Sequence, residues 1–420
     1  MTELAAQKGD APLRSGGAGV FWRFWTASTA SQVGSAVTSV ALPLVAVKTL
    51  DASNFQVSLI TAASYAAWLL IGLPAGVIVQ RLPLRGSQVA MDLIRAAAML
   101  SIPLAAVLGV LTLAQVVLVA LVVGLANVVF DVGNSSFLPS IVSKEELTSR
   151  NSLTSASSAA TDLGGPSLGG FLVQFLGAAA SLIVDAISYL VSAVLLWTLP
   201  RPTPAPPTRH GTSFVALIRD GVRYVVRHRV MAPCVAVATL INFVAGAQMA
   251  LTPVFLLRTL DAPPVVFGAL MASGGVGSLV GAALTPRISK RVGSARAIVL
   301  ATLVSAGSTA LIPLAGHGWL TVLFALGNAG FTAGVVVFSI LTRTHRQTVS
   351  PPDLLPRVMA TVRFISWGVI PFGALAAGLA ATAVGPRGAF WLTCLVIALA
   401  PMILLLSRVR RIRDLMTEGR

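Results

Sequence analysis

Twelve runs of apolar residues fill this chain, and the second six read as a diverged copy of the first. Thr49-Leu50-Asp51-Ala52 returns as Thr259-Leu260-Asp261-Ala262, 210 residues later. Pro43 returns as Pro253 at the same offset, and Pro166 returns as Pro371 at an offset of 205. A helix needs about 20 apolar residues to cross about 30 Å of hydrocarbon. Runs of that length fall at 25–47, 56–79, 89–110, 113–134, 155–176 and 178–199. The second set falls at 232–257, 266–286, 296–315, 319–341, 358–383 and 388–407. Backbone groups in lipid must bond within the segment, so these runs are expected to be helices, and the short alternating strands of a barrel are not seen. The expected fold is an all-α membrane protein with 12 transmembrane helices in two pseudo-symmetric six-helix bundles. Duplication of spanning helices on this scale points to a transporter whose halves rock against each other.

With 55% apolar and 10% charged residues, the 420-residue chain is no soluble globular protein. Its net charge of +16 would suit nucleic acid, but the positions of the charges argue otherwise. Of the 30 Lys and Arg, Lys48, Arg258 and Arg387 fall at connections on one side; the rest sit in the tails, the even-to-odd connections or the adjoining helix ends. This is the positive-inside pattern. It places both termini in the cytoplasm of a multi-pass protein of the bacterial cytoplasmic (inner) membrane, with membrane lipids rather than nucleic acid as partners. The first span follows no separate apolar leader and is expected to stay as an uncleaved anchor.

The expected organisation is a cytoplasmic tail over 1–20, an N-terminal bundle over 21–199, a linker over 200–230, a C-terminal bundle over 231–408 and a tail over 409–420. The Pro-rich start of the linker, 200–207, cannot continue a helix. Beyond it, apolar residues at helical spacing interleave with Arg219, Arg223, Arg227 and Arg229, which reads as an amphipathic helix over 213–229 on the membrane surface or as an ordinary linker helix. Cys234 and Cys394 lie in different halves, and the four histidines are scattered, so neither a disulfide nor a metal site is expected. Walker sequences and hydrolase constellations are absent. The chain is expected to be no enzyme, to carry no cofactor and to act as a monomer.

The second connection reads Gly72-Leu-Pro74-Ala-Gly76, then Gln80-Arg81 and Arg85, with Asp92 and Arg95 following. Gly277 and Gly281 precede Arg287, Lys290, Arg291 and Arg296 in the second half. The fifth span holds Asp162-Leu-Gly164-Gly165-Pro166-Ser-Leu-Gly169-Gly170, where proline removes a backbone bond and the glycines admit a close neighbour. Together these resemble the major facilitator superfamily, across about residues 20–408. Its loop after helix 2 is matched by Gly76, Arg81 and Arg85, while Gln80, Pro83 and Leu84 depart from the pattern. The Gly165-Pro166-x-x-Gly169-Gly170 run resembles the helix-5 motif of exporters and antiporters. Phe137, Pro139, Leu147, Asn151 and Ser152 resemble the siderophore- and macrolide-efflux branch. The missing loop acid leaves Arg363, in the eleventh span, without its expected partner, and Asp131 is the candidate to pair with Arg81 or Arg85. With Pro371, these gating residues are expected to move with the rocking.

Ionisable groups deep in a membrane are costly and functional by default. Asp162 and Asp185, each about two turns inside its span, are the proton-coupling candidates; either also suits a role in helix packing. The resemblance implies that helices 1, 4, 7 and 10 line a central cavity. Gln32, Ser35, Asn127, Asn242 and Asn328 supply its candidate polar contacts, and Tyr65, Trp68 and Trp367 its aromatic surface. Each is equally suited to an interhelical contact. Few fixed charges fall in the set, which favours neutral or weakly charged ligands. The expected function is export of small amphipathic molecules (a drug, siderophore or secondary metabolite) coupled to protons. An importer or uniporter of the same fold, or a non-transporting sensor, is the alternative.

Overall fold

A computed structural model describes residues 17–72, 74–75, 79, 82–142, 146–200, 222–350 and 355–415. Among them there is no strand. The first half contains α1 (Gly17–Leu44), α2 (Asn54–Ile71), α3 (Leu84–Val107), α4 (Leu113–Ile141), α5 (Leu147–Leu176) and α6 (Ala178–Trp197). The second contains α7 (Met231–Val254), α8 (Pro264–Val292), α9 (Ser294–Thr309) and α10 (Thr321–Val349). It closes with α11, formed by Leu355–Trp367 and its continuation 370–384, and α12, 386–406. The stretch Ile370–Leu406 runs on as helix except at Gly385, whose φ of 73° and ψ of 165° turn the chain back on itself. A side chain there would be strained, so this one-residue connection depends on glycine, as does the one between α5 and α6 at Gly177, φ 84°.

Among the described residues, ten helical stretches are long and apolar enough to cross a membrane, and the last, Thr361–Leu406, is two spans joined at Gly385. The twelfth span, α5, is absent from that set because it is rich in Ser and Thr and carries Asp162. Its 30 residues reach about 45 Å at about 1.5 Å per residue, long enough to cross.

The duplication is visible in backbone detail. α1 and α7 both pass into five-residue π turns, Val45–Thr49 and Phe255–Thr259, just after Pro43 and Pro253. Proline removes a donor from the helix ladder, and the bonding lengthens directly beyond it. In each copy the chain then enters the left-handed region at an aspartate, Asp51 at φ 45° and Asp261 at φ 47°, a conformation that Asp tolerates better than most residues. The next helix starts by different chemistry in each copy. Ser53 and Gln56 form a capping box at the head of α2, whereas Pro264 occupies the first turn of α8.

The halves meet along two seams, α5 against α8 and α2 against α11. At the first, a Cβ on Gly170 would overlap the Pro264 carbonyl oxygen, and one on Gly268 would overlap that of Pro166. At the second, a Cβ on Gly378 would overlap the Ser58 hydroxyl. Gly277 and Gly281 instead let α10 approach α8 within the second bundle, through the Ala329 and Ala333 backbones. Gly165 and Gly169 seat α1, at Ala36, Val37 and Val40. Only part of the expected glycine set thus serves the seams.

Most of the expected surface helix, and Gly76 and Arg81 of the second connection, lie outside the described residues. The described end, 222–227, packs Val225 against Met231, Val235, Val358 and Val362. The C-terminal stretch does not trail away. Asp414 accepts from the Ser294 amide at 2.9 Å, and the Leu415 amide donates to the Ser294 hydroxyl at 2.8 Å. An acidic group at a helix start meets unpaired N–H donors and the positive end of the helix dipole, so this segment caps α9.

Candidate functional site

A cavity of about 950 Å³ lies between the halves, of the size that holds a small organic ligand. It is walled by the last turns of α2, the middle of α7, the second half of α10 and the first half of α11, including Trp68, Asn242, Phe338, Ser339, Thr342 and Trp367. Every one of these stretches lies toward the end of the bundle that carries the basic connections. The other end is shut. Arg258, in the π turn after α7, donates to the Asp51 carboxylate at 3.0 Å, the Ala52 carbonyl at 2.7 Å and Asn54 at 3.4 Å. Asn54 in turn donates to the Ala381 carbonyl of α11 at 3.3 Å. Lys48, the counterpart of Arg258 one repeat earlier, is exposed.

Three arginines face the cavity: Arg343 and Arg346 from α10, and Arg363 from α11. The Arg363 guanidinium lies 4.3 Å from the Trp68 ring centre and 4.6 Å from that of Trp367, the two rings meeting edge to face at 5.3 Å. A cation so placed is attracted by both ring faces while its N–H edge stays available. An adjoining pocket of about 370 Å³ shares Trp68, Val132 and Arg363 with the first and adds Asp131. Arg363 therefore has an acidic neighbour after all, across the pocket. Arg85 is turned the other way, donating to the Trp197 and Leu199 carbonyls at 3.1 and 2.8 Å and lying over the Trp197 ring. The expected pairing of Asp131 with Arg85 is thus replaced, because the end of α6 offers Arg85 unpaired carbonyls and an indole close at hand.

Beneath the cavity wall, inside the first bundle, is a sealed polar cluster. Arg95 and Asp92 of α3 form an ion pair and are 3% and 0% exposed. The same guanidinium donates to Asn127 of α4 at 2.9 Å and lies 4.0 and 4.3 Å from the ring centres of Phe130 and Tyr189. Tyr189 of α6 exchanges a hydrogen bond with Ser35 of α1 at 2.9 Å. Asp185, also fully buried, accepts from Thr38 of α1 and, at 3.2 Å, from Ser188. Its hydrogen bond to another helix is to α1, through Thr38. Two carboxylates and one guanidinium thus sit within electrostatic reach of one another, out of water.

Asp162 is placed differently. It is exposed on α5, on the face opposite Phe171 and between the face seated on α1 at Gly165 and the face seated on α8 at Gly170. That face looks into the space between the halves, while Leu168, Phe171 and Phe175 face outward. Of the polar candidates, Asn242, Trp68 and Trp367 line the cavity. Gln32 accepts from Ser158 at 2.7 Å, tying α1 to α5, and Asn328 donates to Ser273 at 3.0 Å, tying α10 to α8. Ser35 and Asn127 belong to the sealed cluster, and Tyr65 is half-buried on α2 outside the lining. Pro371 is buried in α11 beside the close contact of Gly246 with Ile370. Arg343 and Arg346 were legible only as topology markers. Their spacing with Ser339 and Thr342, which puts all four on one helical face, is the signal that finds them.

The sequence matches a family model described as transmembrane secretion effector over residues 8–419. It is 27% identical over 303 residues to the MFS-type transporter YvqJ of Bacillus subtilis, covering 70% of each chain. It is 28% identical over 297 residues to the MFS-type transporter y4rN of Sinorhizobium fredii, covering 70% of this chain and 72% of that one. In fold it is similar to the nucleoside transporter NupG, with TM-score 0.74 at 14% identity over 93% of this chain and 100% of that one. A bacterial homologue of the iron transporter ferroportin, in an inward-facing state, aligns with TM-score 0.75 at 14% identity over 92% and 98%. The chain belongs to the major facilitator superfamily of membrane transporters, within its transmembrane secretion effector family.

Proposed function

We propose that this protein is a proton-coupled exporter that moves small amphipathic molecules out of a bacterial cytoplasm by alternating access. The observation that carries the reading is a cavity between the halves that faces the basic end while Arg258 closes the opposite rim. By the positive-inside rule the basic end is cytoplasmic, so this is an inward-facing state, the one in which an exporter would load. Substrate enters from the cytoplasm, the Arg258 bonds part, and the α5–α8 and α2–α11 seams open outward.

The carboxylates supply the coupling. The Asp92–Arg95–Asp185 cluster holds two acids around one guanidinium, so it is neutral when it holds one proton. An uncompensated charge in such a site is costly. Asp185 touches α1 through Thr38, so a change in its protonation alters a contact between helices that line and support the cavity. Asp162, facing the inter-half space, is the second carrier. A ligand shifts such an equilibrium only by its differential affinity for the two facing states. Proton uptake from outside returns the empty carrier to its loading state.

The test is a susceptibility panel on deletion and overexpression strains, followed by accumulation measurements in intact cells with the compounds it identifies. Overexpression is expected to lower intracellular levels, and an uncoupler to restore them. A rise in accumulation would instead favour the importer. Proton-linked flux in membrane vesicles should fall in Asp185→Asn or in Asp162→Asn; full coupling in both variants removes the carboxylate assignment.

A further inference from the structure

We infer that the cavity selects organic anions, that is, carboxylate-bearing amphipaths with an aromatic or otherwise apolar body. The inference rests on the transport reading and names its substrate class. It also reverses the expectation of neutral ligands drawn from the sequence. Three arginines line the main cavity, and among the described residues none of its lining is Asp or Glu. Asp131, in the adjoining pocket, offsets one of the three charges. Arg343 lies within electrostatic reach of both Arg346 and Arg363, so the like charges are held together rather than dispersed.

Topology alone does not account for this. Arg287, Lys290 and Arg291 satisfy the positive-inside pattern from exposed positions at the end of α8, and they line neither of the two pockets described above. Arg343, Arg346 and Arg363 face inward. Arg346 lines the cavity as a half-buried guanidinium whose Nε atom has no hydrogen-bond partner, so its charge is not spent on a protein acceptor there. Arg363 sits in the corner formed by the Trp68 and Trp367 rings, 4.3 and 4.6 Å from their centres, on the cavity wall, where a guanidinium suits the two oxygens of a carboxylate. Phe338, Ile241 and Val335 supply the apolar wall for the rest of the molecule.

The experiment is calorimetric titration of the purified full-length protein in neutral phosphatidylcholine nanodiscs. Three probes share one ring system: 2-naphthoxyacetate, 2-naphthoxyethanol and 2-naphthoxyethylamine. The anion is expected to bind at least tenfold more tightly than the alcohol, and the amine more weakly still. That preference should collapse in Arg363→Gln and in the Arg343→Gln/Arg346→Gln double variant. It should persist in Arg287→Gln/Arg291→Gln. Thermal melts of each variant identify misfolding, and Arg363→Lys, which keeps the charge but not the fork, should retain part of the preference. Equal binding of the probes, tighter binding of the amine, no binding by any, or an anion preference that survives both cavity variants overturns the inference. No gradient is involved, so selective binding without flux would defeat the exporter reading alone, and flux without anion selectivity would defeat this one alone.

Discussion

Arg258 of the second half reaches Asp51 of the first at 3.0 Å, and the same guanidinium takes the Ala52 carbonyl at 2.7 Å. This is the polar catch on the rim opposite the cavity. Asp51 is 98% exposed, so the ion pair itself is weak; exposed pairs contribute about 0.2–1 kcal/mol. Arg258→Gln is therefore expected to shift the balance of facing states several-fold toward outer opening, not to abolish closure. Ser58, buried on α2 against Gly378, is the reporter. In a variant lacking Cys234 and Cys394, Ser58→Cys should react faster with an impermeant maleimide when Arg258→Gln is added. An unchanged rate removes the catch.

The Arg95–Asp92 pair is a different kind of bond. Removing one partner of a buried pair costs about 3–5 kcal/mol because the other is stranded out of water. Arg95→Leu and Asp92→Leu should each lower the melting temperature sharply in detergent. The double substitution should recover a large part of that loss. Arg95→Lys is not a rescue, since Lys lacks the flat guanidinium that lies over Phe130 and Tyr189 and reaches Asn127.

Two glycines six residues apart on α5 separate packing from composition. Gly164 meets nothing within 4 Å of an added Cβ, whereas Gly170 meets the Pro264 carbonyl and Gly268. Gly164→Ala should be neutral or slightly stabilising, by up to about 1 kcal/mol from helix propensity. Gly170→Ala should force the α5–α8 seam apart and raise outer labelling at Ser58→Cys. Equal behaviour of the two variants would mean that the seam does not close there.

The C-terminal clip makes a prediction about stability. Leu415 is 1% exposed and packs with Val409 and Leu404 in the second bundle. Leu415→Ala should cost about 2–5 kcal/mol, the usual range for a buried large-to-small change. Asp414→Ala should cost about 0.5–2 kcal/mol as the loss of a helix cap. Melting of the two variants, compared with Arg410→Ala at an exposed position, checks the order.

Most of the architecture was legible because lipid leaves the backbone few options. Runs of about twenty apolar residues must be helices, and the Thr-Leu-Asp-Ala repeat announced two copies whose π turns and left-handed aspartates coincide. Side-chain partnerships were less legible, since they depend on rotation about each helix axis and on neighbours far away in sequence. Asp185 is 147 residues from Thr38, and Arg258 is 207 from Asp51. Asp131 carried no local sign that it would share a pocket with Arg363 rather than pair with Arg85. Arg343 and Arg346 obey the topology rule as basic residues at a helix end, and that rule carries no information about which way around the helix they face.

The Trp68–Arg363–Trp367 arrangement has a consequence for how a cargo leaves. Trp68 belongs to α2 of the first half, while Arg363 and Trp367 belong to α11 of the second. A rocking motion that opens the Arg258 rim closes the basic end, and so must press one wall of this corner onto the other. On the export cycle proposed above, the space for the anion is present in the loading state and is squeezed out as the carrier turns, so affinity itself falls along the stroke. Release needs no separate expelling device, because the place that held the molecule ceases to exist.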